Sequence, residues 1–356
     1  MSANRRIVIL RDLDEPQPSY FKICRKYHFS EEHDILGFTM NVFDGTNMII
    51  VQADLARPDH LKILKENILN PARPNIPVLF LLKELNRKQV VQANVLGATD
   101  FWVFPCEDEK FEERLKIILD REMEKKWSRL SSTQSAALKV SLKVVEDTFD
   151  SARLGLPLSS RDVKNSCDMI IEATSREGLS DWMGAIKNHH NYTYRHCMMV
   201  CGYLISFGLV LGMKGEELQQ LATGGMLHDI GKARTPLELL DKPGKLTDEE
   251  WEIMRRHPEY SDEMLRAQGW DEITIDMAVH HHEKIDGSGY PHGLKGDEFS
   301  RYARMTAIAD IFSGLTDKRS YKPAMSPRLA MNMMSTWDGH IDQELLEAFR
   351  PVALND

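Results

Sequence analysis

A chain of 356 residues has the length for two domains, each able to bury a core of its own. Charged residues at 28% and hydrophobic residues at 42% are ordinary for folded globular domains and exclude a largely disordered chain. The formal charge of −9 excludes a general nucleic-acid-binding surface, because polynucleotide binding is dominated by phosphate neutralisation. A small phosphate ligand stays open to it, provided that metals or a few placed basic residues supply positive charge locally.

At the N-terminus Arg5-Arg6 precede an apolar run, Ile7 to Leu10, that is too brief for a signal-peptide core and ends in Arg11-Asp12. No stretch approaches the roughly eighteen consecutive apolar residues of a membrane span. The longest candidate, Tyr203 to Met213, is interrupted by Gly208 and Gly212 and reads as a buried helix. Cys24, Cys106, Cys167, Cys197 and Cys201 are scattered and form no CxxC pair, which suits reduced thiols in a cytoplasmic protein without membrane insertion. Cys197 and Cys201 lie one turn apart beside His196, and core packing is the commoner fate of such cysteines than a thiolate metal site.

Over residues 1–125, short apolar runs alternate with helical stretches: Ile7-Val8-Ile9-Leu10, Met48-Ile49-Ile50-Val51, Pro77-Val78-Leu79-Phe80-Leu81-Leu82 and Phe101-Trp102-Val103-Phe104. This alternation predicts an α/β domain, a parallel sheet with helices on both faces. With Ile76-Pro77-Val78, and Leu96-Gly97-Ala98-Thr99-Asp100-Phe101 ahead of Pro105, it resembles the receiver domain of response regulators. The resemblance implies a phosphoacceptor near Asp54, yet the family's hydroxyl position is Leu82 and its lysine position is Phe104. It therefore implies a receiver-like domain of altered function, not conventionally phosphorylated; a solvated loop acid is the other reading of Asp54.

From Lys110 to Asp150 the chain has no Pro or Gly and reads as a long helix or helix pair, with residues 126–150 as a connecting helix. Phe111, Leu115, Ile118 and Leu119, then Trp127, Leu130, Leu138, Leu142 and Val145, offer a face for core docking or for a homodimer.

Residues 151–356 are helical in pattern and predict an all-α bundle, punctuated at Gly155-Leu156-Pro157 and around Gly244. His196 heads an apolar face formed by Met199, Val200, Tyr203, Leu204 and Phe207, so it should be buried. His228-Asp229 follows an apolar helical run, and Lys232 at i+4 from His228 returns to the same face. Thr247-Asp248-Glu249-Glu250 is a capping-box start whose helix should run to His257, where Pro258 disfavours continuation. The segment His281-His282-Glu283-Lys284-Ile285-Asp286-Gly287-Ser288-Gly289-Tyr290-Pro291 combines imidazoles, carboxylates and a glycine-rich turn. Asp310 lies in a helix expected over Arg304 to Thr316, with Ala303, Ala307 and Gly314 on its side. A carboxylate on so close-packed a face must be paired, protonated or metal-bound. These histidines and acids are enough ligands for more than one divalent ion.

Together these residues resemble the HD-GYP family of cyclic dinucleotide phosphodiesterases, a branch of the HD metal-dependent phosphohydrolases. The likeness covers roughly Leu130 to Phe349 and adds Ala309-Asp310 and Arg319-Ser320-Tyr321-Lys322-Pro323-Ala324 to the motifs above. It implies one metal held by His196, His228, Asp229 and Asp310, and a second held by Asp229, His257, His281 and His282. Iron is the first choice and manganese the next, and ligand type alone leaves zinc open. Some members hold a third metal with a glutamate whose place is Tyr192 here, so two metals are expected. Asp229 and Lys232 are the implied catalytic residues, and Lys232, Asp286, Gly287, Gly289, Tyr290, Arg319 and Lys322 the implied substrate contacts. Ser313 departs from an acid common in the family. The implied reaction is hydrolysis of the 3′–5′ phosphodiester of cyclic di-GMP, to pGpG or onward to GMP. Another cyclic dinucleotide, such as cyclic GMP-AMP, is an alternative substrate. A module that binds nucleotide or a diguanylate cyclase is an alternative role.

Overall fold

The structure is a computed structural model that describes residues 6–27, 29–70, 76–84, 86–187, 189, 192–240, 242, 244–317 and 324–354. The chain divides into two compact units, Met1–Glu122 and Met123–Asp356.

The first unit holds strands β1 (Arg6–Arg11), β2 (Phe29–Asp34), β3 (Met48–Gln52), β4 (Val78–Leu82) and β5 (Asp100–Val103), paired in parallel in the order β2-β1-β3-β4-β5. Helices α1 (Tyr20–Tyr27), α2 (Pro58–Ile68), α3 (Arg87–Val95) and the part of α4 (Asp108–Trp127) up to Glu122 accompany them, while a 3₁₀ turn, Met40–Phe43, lies between β2 and β3. Alternate residues of the central strands enter two cores: Val8, Ile49, Val51 and Phe80 on one face, Ile7, Ile9, Ile50 and Leu79 on the other. That is the doubly covered parallel sheet expected from the apolar runs. β2 escapes sequence reading because Phe-Ser-Glu-Glu-His-Asp is a polar edge strand. Its pairing with β1 is reinforced by Arg6 to Glu31 at 2.6 Å and Arg11 to Glu32 at 3.0 Å.

This strand order reverses direction between β1 and β3, where doubly wound sheets carry their sites. Asp54 stands just beyond β3, but its Oδ1 accepts the amide of Ala56 at 2.9 Å. The Arg57 guanidinium reaches Asp59 at 2.6 Å and Asp12 at 3.7 Å. Leu82 is buried and Phe104 packs edge-on against Tyr20 at 5.2 Å, so both key positions of the receiver pattern carry apolar side chains.

The second unit is helical. It contains α5 (Ser132–Leu154), α6 (Ser160–Glu177), α7 (Leu179–Ile186), α8 (Tyr192–Val210), α9 (Glu216–Leu227) and α10 (Leu237–Leu240). There follow α11 (Asp248–Met254), α12 (His257–Ala267), α13 (Glu272–His280), α14 (Arg301–Thr316), α15 (Pro327–Met334) and α16 (Gln343–Leu354). Side chains of Ser131, Ser159, Thr247, Asp271, Ser300 and Ser326 accept N-terminal amides and set where helices begin. The stretch from Lys110 to Asp150 is a helix pair broken after Trp127, and Leu138 and Val145 of α5 are spent in the core of this unit. At the centre lies α8, packed against α9, α14 and α16 and buried on nearly every side from Tyr194 to Gly208. Cys197 and Cys201 belong to this core, and all five cysteines are free. Among the described residues no helix is long and apolar enough to cross a membrane.

Candidate metal centre

Six elements deliver the donors. His196 sits near the start of α8, His228 caps the end of α9, Asp229 opens the 3₁₀ turn Ile230–Arg234, and Asp310 projects from α14. His281 and His282 follow the end of α13. The capping box at Thr247 and Glu250 is present, but its helix stops at Met254 and His257 is the first residue of α12 instead of the last of α11. Pro258 explains both facts, since it is disfavoured within a helix and favoured in a first turn. Lys232 also departs from expectation. Beyond Leu227 the α-helix gives way to 3₁₀ winding, in which i and i+3 eclipse, so Lys232 meets Asp229 at 2.5 Å instead of returning to the face of His228.

Three sets of donors could each hold an ion: His196, His228 and Asp310; His257, His281 and His282; and His228, Asp229 and His281. Asp229 joins them. Its Oδ2 lies 3.4 Å from Nε2 of both His196 and His228, and its Oδ1 lies 3.3 Å from His257 and 3.7 Å from His281. Asp310 stands 3.1 Å from His196.

The tautomers show what the pocket is built to receive. Nδ1 of His257 faces the Met254 carbonyl at 2.8 Å, and Nδ1 of His281 faces the Ala278 carbonyl at 3.1 Å. A carbonyl only accepts, so each Nδ1 carries the proton and each Nε2 is a bare lone pair. Those two lone pairs face each other at 3.4 Å. Burial, the largest influence, pushes the His257 pKa down to about 3 and that of His282 to about 4, which keeps both imidazoles neutral. Facing lone pairs of neutral rings repel, and a shared cation turns the repulsion into ligation. The buried Oδ1 of Asp229 also has no hydrogen-bond donor among the described residues. This donor set therefore fits divalent metal.

His228 repeats the pattern, its Nδ1 lying 2.8 Å from the Gly225 carbonyl, whereas Nδ1 of His196 meets the Ser313 hydroxyl at 3.4 Å. Ser313, the departure from the family's acid, thus stands behind a ligand and not among the ligands. Burial alone would raise the Asp229 carboxyl, but Lys232 and His228 hold it well below the usual range. Burial, the largest influence, likewise opposes the Lys232 ammonium, and Asp229, Tyr192 and Asp310 together keep that pKa above its ordinary value.

The segment after His282 is shaped from within. Glu283 is buried and accepts the amides of His292 at 2.7 Å, Gly293 at 3.0 Å and Leu294 at 3.1 Å, folding the turn back on itself. Sequence reasoning misses this residue as a site residue because three backbone partners leave no trace in side-chain spacing; the one signal is a carboxylate directly after paired histidines. Asp286 accepts the Ser288 amide at 2.8 Å, and Gly287 holds a positive φ of 81°. At Gly289 a Cβ would come within 2.4 Å of the Glu283 Cα, so only glycine lets the strands of this turn touch. Tyr290 alone of these reaches the donors, its ring stacked on His282 with centroids 4.7 Å apart. At the first histidine's end Tyr192 lies flat against His196 and offers no carboxylate. Arg319 and Lys322 lie outside the described residues.

Residues 166–345, which carry the whole donor set, match the family model of the HD domain. The chain belongs to the HD-domain family. The chain is 35% identical over 209 residues to the cyclic di-GMP phosphodiesterase PA4108 of Pseudomonas aeruginosa, covering 58% of this chain and 50% of that protein. It is 38% identical over 133 residues to the cyclic di-GMP phosphodiesterase response regulator RpfG of Xanthomonas campestris, covering 37% of this chain and 35% of that one. It is also 35% identical over 180 residues to the 3′3′-cGAMP-specific phosphodiesterase 2 of Vibrio cholerae, covering 50% of this chain and 34% of that one. The chain thus spans half or less of the length of these curated relatives. In structure it resembles Bd1817, an HDG"Y"P protein of Bdellovibrio bacteriovorus, with a TM-score of 0.52 at 18% identity over 69% of this chain and 81% of that one. That likeness supports the HD fold, as expected from the sequence.

Proposed function

We propose that this chain is a metal-dependent phosphodiesterase that opens the 3′–5′ phosphodiester of cyclic di-GMP to the linear dinucleotide pGpG, acting in the cytoplasm. The observation that carries the reading is the pair of donor triads bridged by Asp229 with an ammonium beside it. In this reading His196, His228 and Asp310 hold one ion, His257, His281 and His282 hold the other, and Asp229 spans both. Bound divalent ions supply Lewis-acid polarisation of the phosphodiester and lower the pKa of water, with iron or manganese suiting these ligands. Lys232, kept protonated by Asp229 at 2.5 Å and partly exposed, is placed to neutralise charge on the phosphate and to offer a proton to the departing 3′ oxygen. The turn pinned by Glu283 sets Tyr290 against His282 and so at the edge of the same pocket.

The test is product identification with purified protein loaded anaerobically with iron or manganese. Conversion of cyclic di-GMP to pGpG is expected, and intact dinucleotide after binding would refute the assignment. Because relatives of similar identity are named for cyclic GMP-AMP, that dinucleotide is the second substrate, and parallel turnover decides between the two.

For the first unit we propose regulation without phosphoryl transfer. Asp54 turns back to its own loop, and Leu82 and Phe104 replace the polar groups that would hold a phosphoryl oxygen. Incubation with acetyl phosphate is expected to leave no label on Asp54; stoichiometric label would end this reading.

A further inference from the structure

Two tyrosine rings stack on donor imidazoles, one on a histidine of each triad. Tyr290 stacks on His282 at 4.7 Å and 28°, and the Arg255 guanidinium lies 5.4 Å from the centre of the same ring. Tyr192 lies parallel to His196 at 5.7 Å and 5°, and the Arg195 guanidinium lies 5.4 Å from its centre. His196 and His282 belong to different triads, so each triad has an imidazole with a phenol ring stacked on it and a guanidinium 5.4 Å from that ring's centre. The two arms are built differently. Tyr192 and Arg195 share one turn of α8, whereas Arg255 comes from the link between α11 and α12 and Tyr290 from the turn that Glu283 pins.

Their exposure separates a binding surface from core packing. His196 is buried and His282 half-buried, while Tyr192 is 37% exposed and the Arg255 side chain 53% exposed. Arg195 is anchored to Asp317 at 2.9 Å and steadies its ring; Arg255 reaches Glu252 only at 3.7 Å and keeps its planar group towards solvent. A phosphodiester that links two nucleosides carries one base on either side of its phosphorus. With that phosphorus at the donors, the bases lie beside the cluster, within reach of aromatic and guanidinium faces that accept any purine without reading its edges.

We propose that Tyr192 is a substrate-binding residue, the stacking surface for one base of a cyclic dinucleotide, and that Arg255 extends Tyr290 into the matching surface for the other. The inference rests on the phosphodiesterase reading above, and it assigns to Tyr192 and Arg255 a part that no motif marks. It makes the substrate class a diester with a purine on both sides, held by stacking that does not distinguish one purine from another.

The test uses the full-length, metal-loaded protein and its Tyr192→Ala, Tyr192→Phe and Arg255→Ala variants. Three quantities are read: kcat and KM for cyclic di-GMP, cleavage of methyl p-nitrophenyl phosphate, which has no purine, and calorimetric Kd for a non-hydrolysable phosphorothioate analogue of cyclic di-GMP. Tyr192→Ala and Arg255→Ala should each raise KM and Kd by about tenfold or more, the scale of one lost base stack. The preference for dinucleotide over the small diester should fall by a similar factor, and Tyr192→Phe should restore it. KM and Kd that do not move in Tyr192→Ala would overturn the proposal. So would equal losses on both substrates together with lost metal, which would make the ring a support for His196 alone. If the unsubstituted protein neither binds the analogue nor cleaves cyclic di-GMP, the phosphodiesterase reading fails and takes this inference with it. Normal turnover with indifferent variants sinks the inference alone.

Discussion

Asp229→Ala is expected to strip metal from both triads at once and to lower turnover by about three orders of magnitude or more, the several kcal/mol that metal ions contribute to such a transition state. The reason is its shared position. Oδ2 lies 3.4 Å from His196 and His228, and Oδ1 lies 3.3 Å from His257, so a single side chain touches both sets of donors. Its loss also takes the partner from Lys232, whose ammonium is held in its charged form chiefly by this carboxylate against the cost of burial. Asp310→Ala makes the contrast, because Asp310 reaches His196 at 3.1 Å and belongs to the first triad only. Metal analysis should return close to none for Asp229→Ala and about half the full complement for Asp310→Ala. An Asp229→Ala protein that retained both ions and its turnover would remove the residue from the bridging position.

Gly231→Ala should damage the same centre through the backbone. A Cβ at this position would lie 1.8 Å from the carbonyl oxygen of His257 and 2.8 Å from the amide nitrogen of Ser261, both main-chain atoms that cannot swing aside. The 3₁₀ turn carrying Lys232 and the first turn of α12 must therefore separate, which breaks the Gly231 amide's bond to Ser261 Oγ at 3.0 Å and draws His257 away from Asp229. Overpacking of this kind costs about 3 kcal/mol. For a unit of this size that is a fall in melting temperature of roughly 6–12 °C. Differential scanning calorimetry checks the fall, and metal titration checks the weakened second triad. Gly184→Ala serves as the control, since a Cβ there meets nothing within 4 Å. Equal melting temperatures for the two variants would show that α12 yields without cost.

The parts of the fold legible in the sequence are those whose signal is local. Ile7 to Leu10, Met48 to Val51 and Val78 to Leu82 read as strands because a sheet covered on both faces needs continuous apolar runs, and all of them are buried. Phe29–Asp34 did not read as one, because an edge strand is held by its neighbour's backbone and by two ion pairs, none of which its own composition announces. The seven donor residues were legible as motifs, since imidazoles and carboxylates in those combinations have few other uses, and the structure brings them to one place. Less legible was the winding around them: the change from α to 3₁₀ after Leu227 moved Lys232 from His228 to Asp229, and Pro258 moved His257 from the end of one helix to the start of the next.

By itself, then, the sequence determined the two classes of unit, the ligand types and the presence of a glycine-rich turn, because each follows from residue chemistry and short-range periodicity. Only the tertiary structure decided that Glu283 and Gly289 spend themselves on shaping the turn and that Tyr192 and Tyr290 stack on His196 and His282, and it gave the distances behind the shared place of Asp229 that the resemblance implied. Those relations join residues on α8, α9, α12, α13 and α14. They arise from the packing of helices far apart in the chain, where close approach of backbones, and not the spacing of letters, sets which atoms meet.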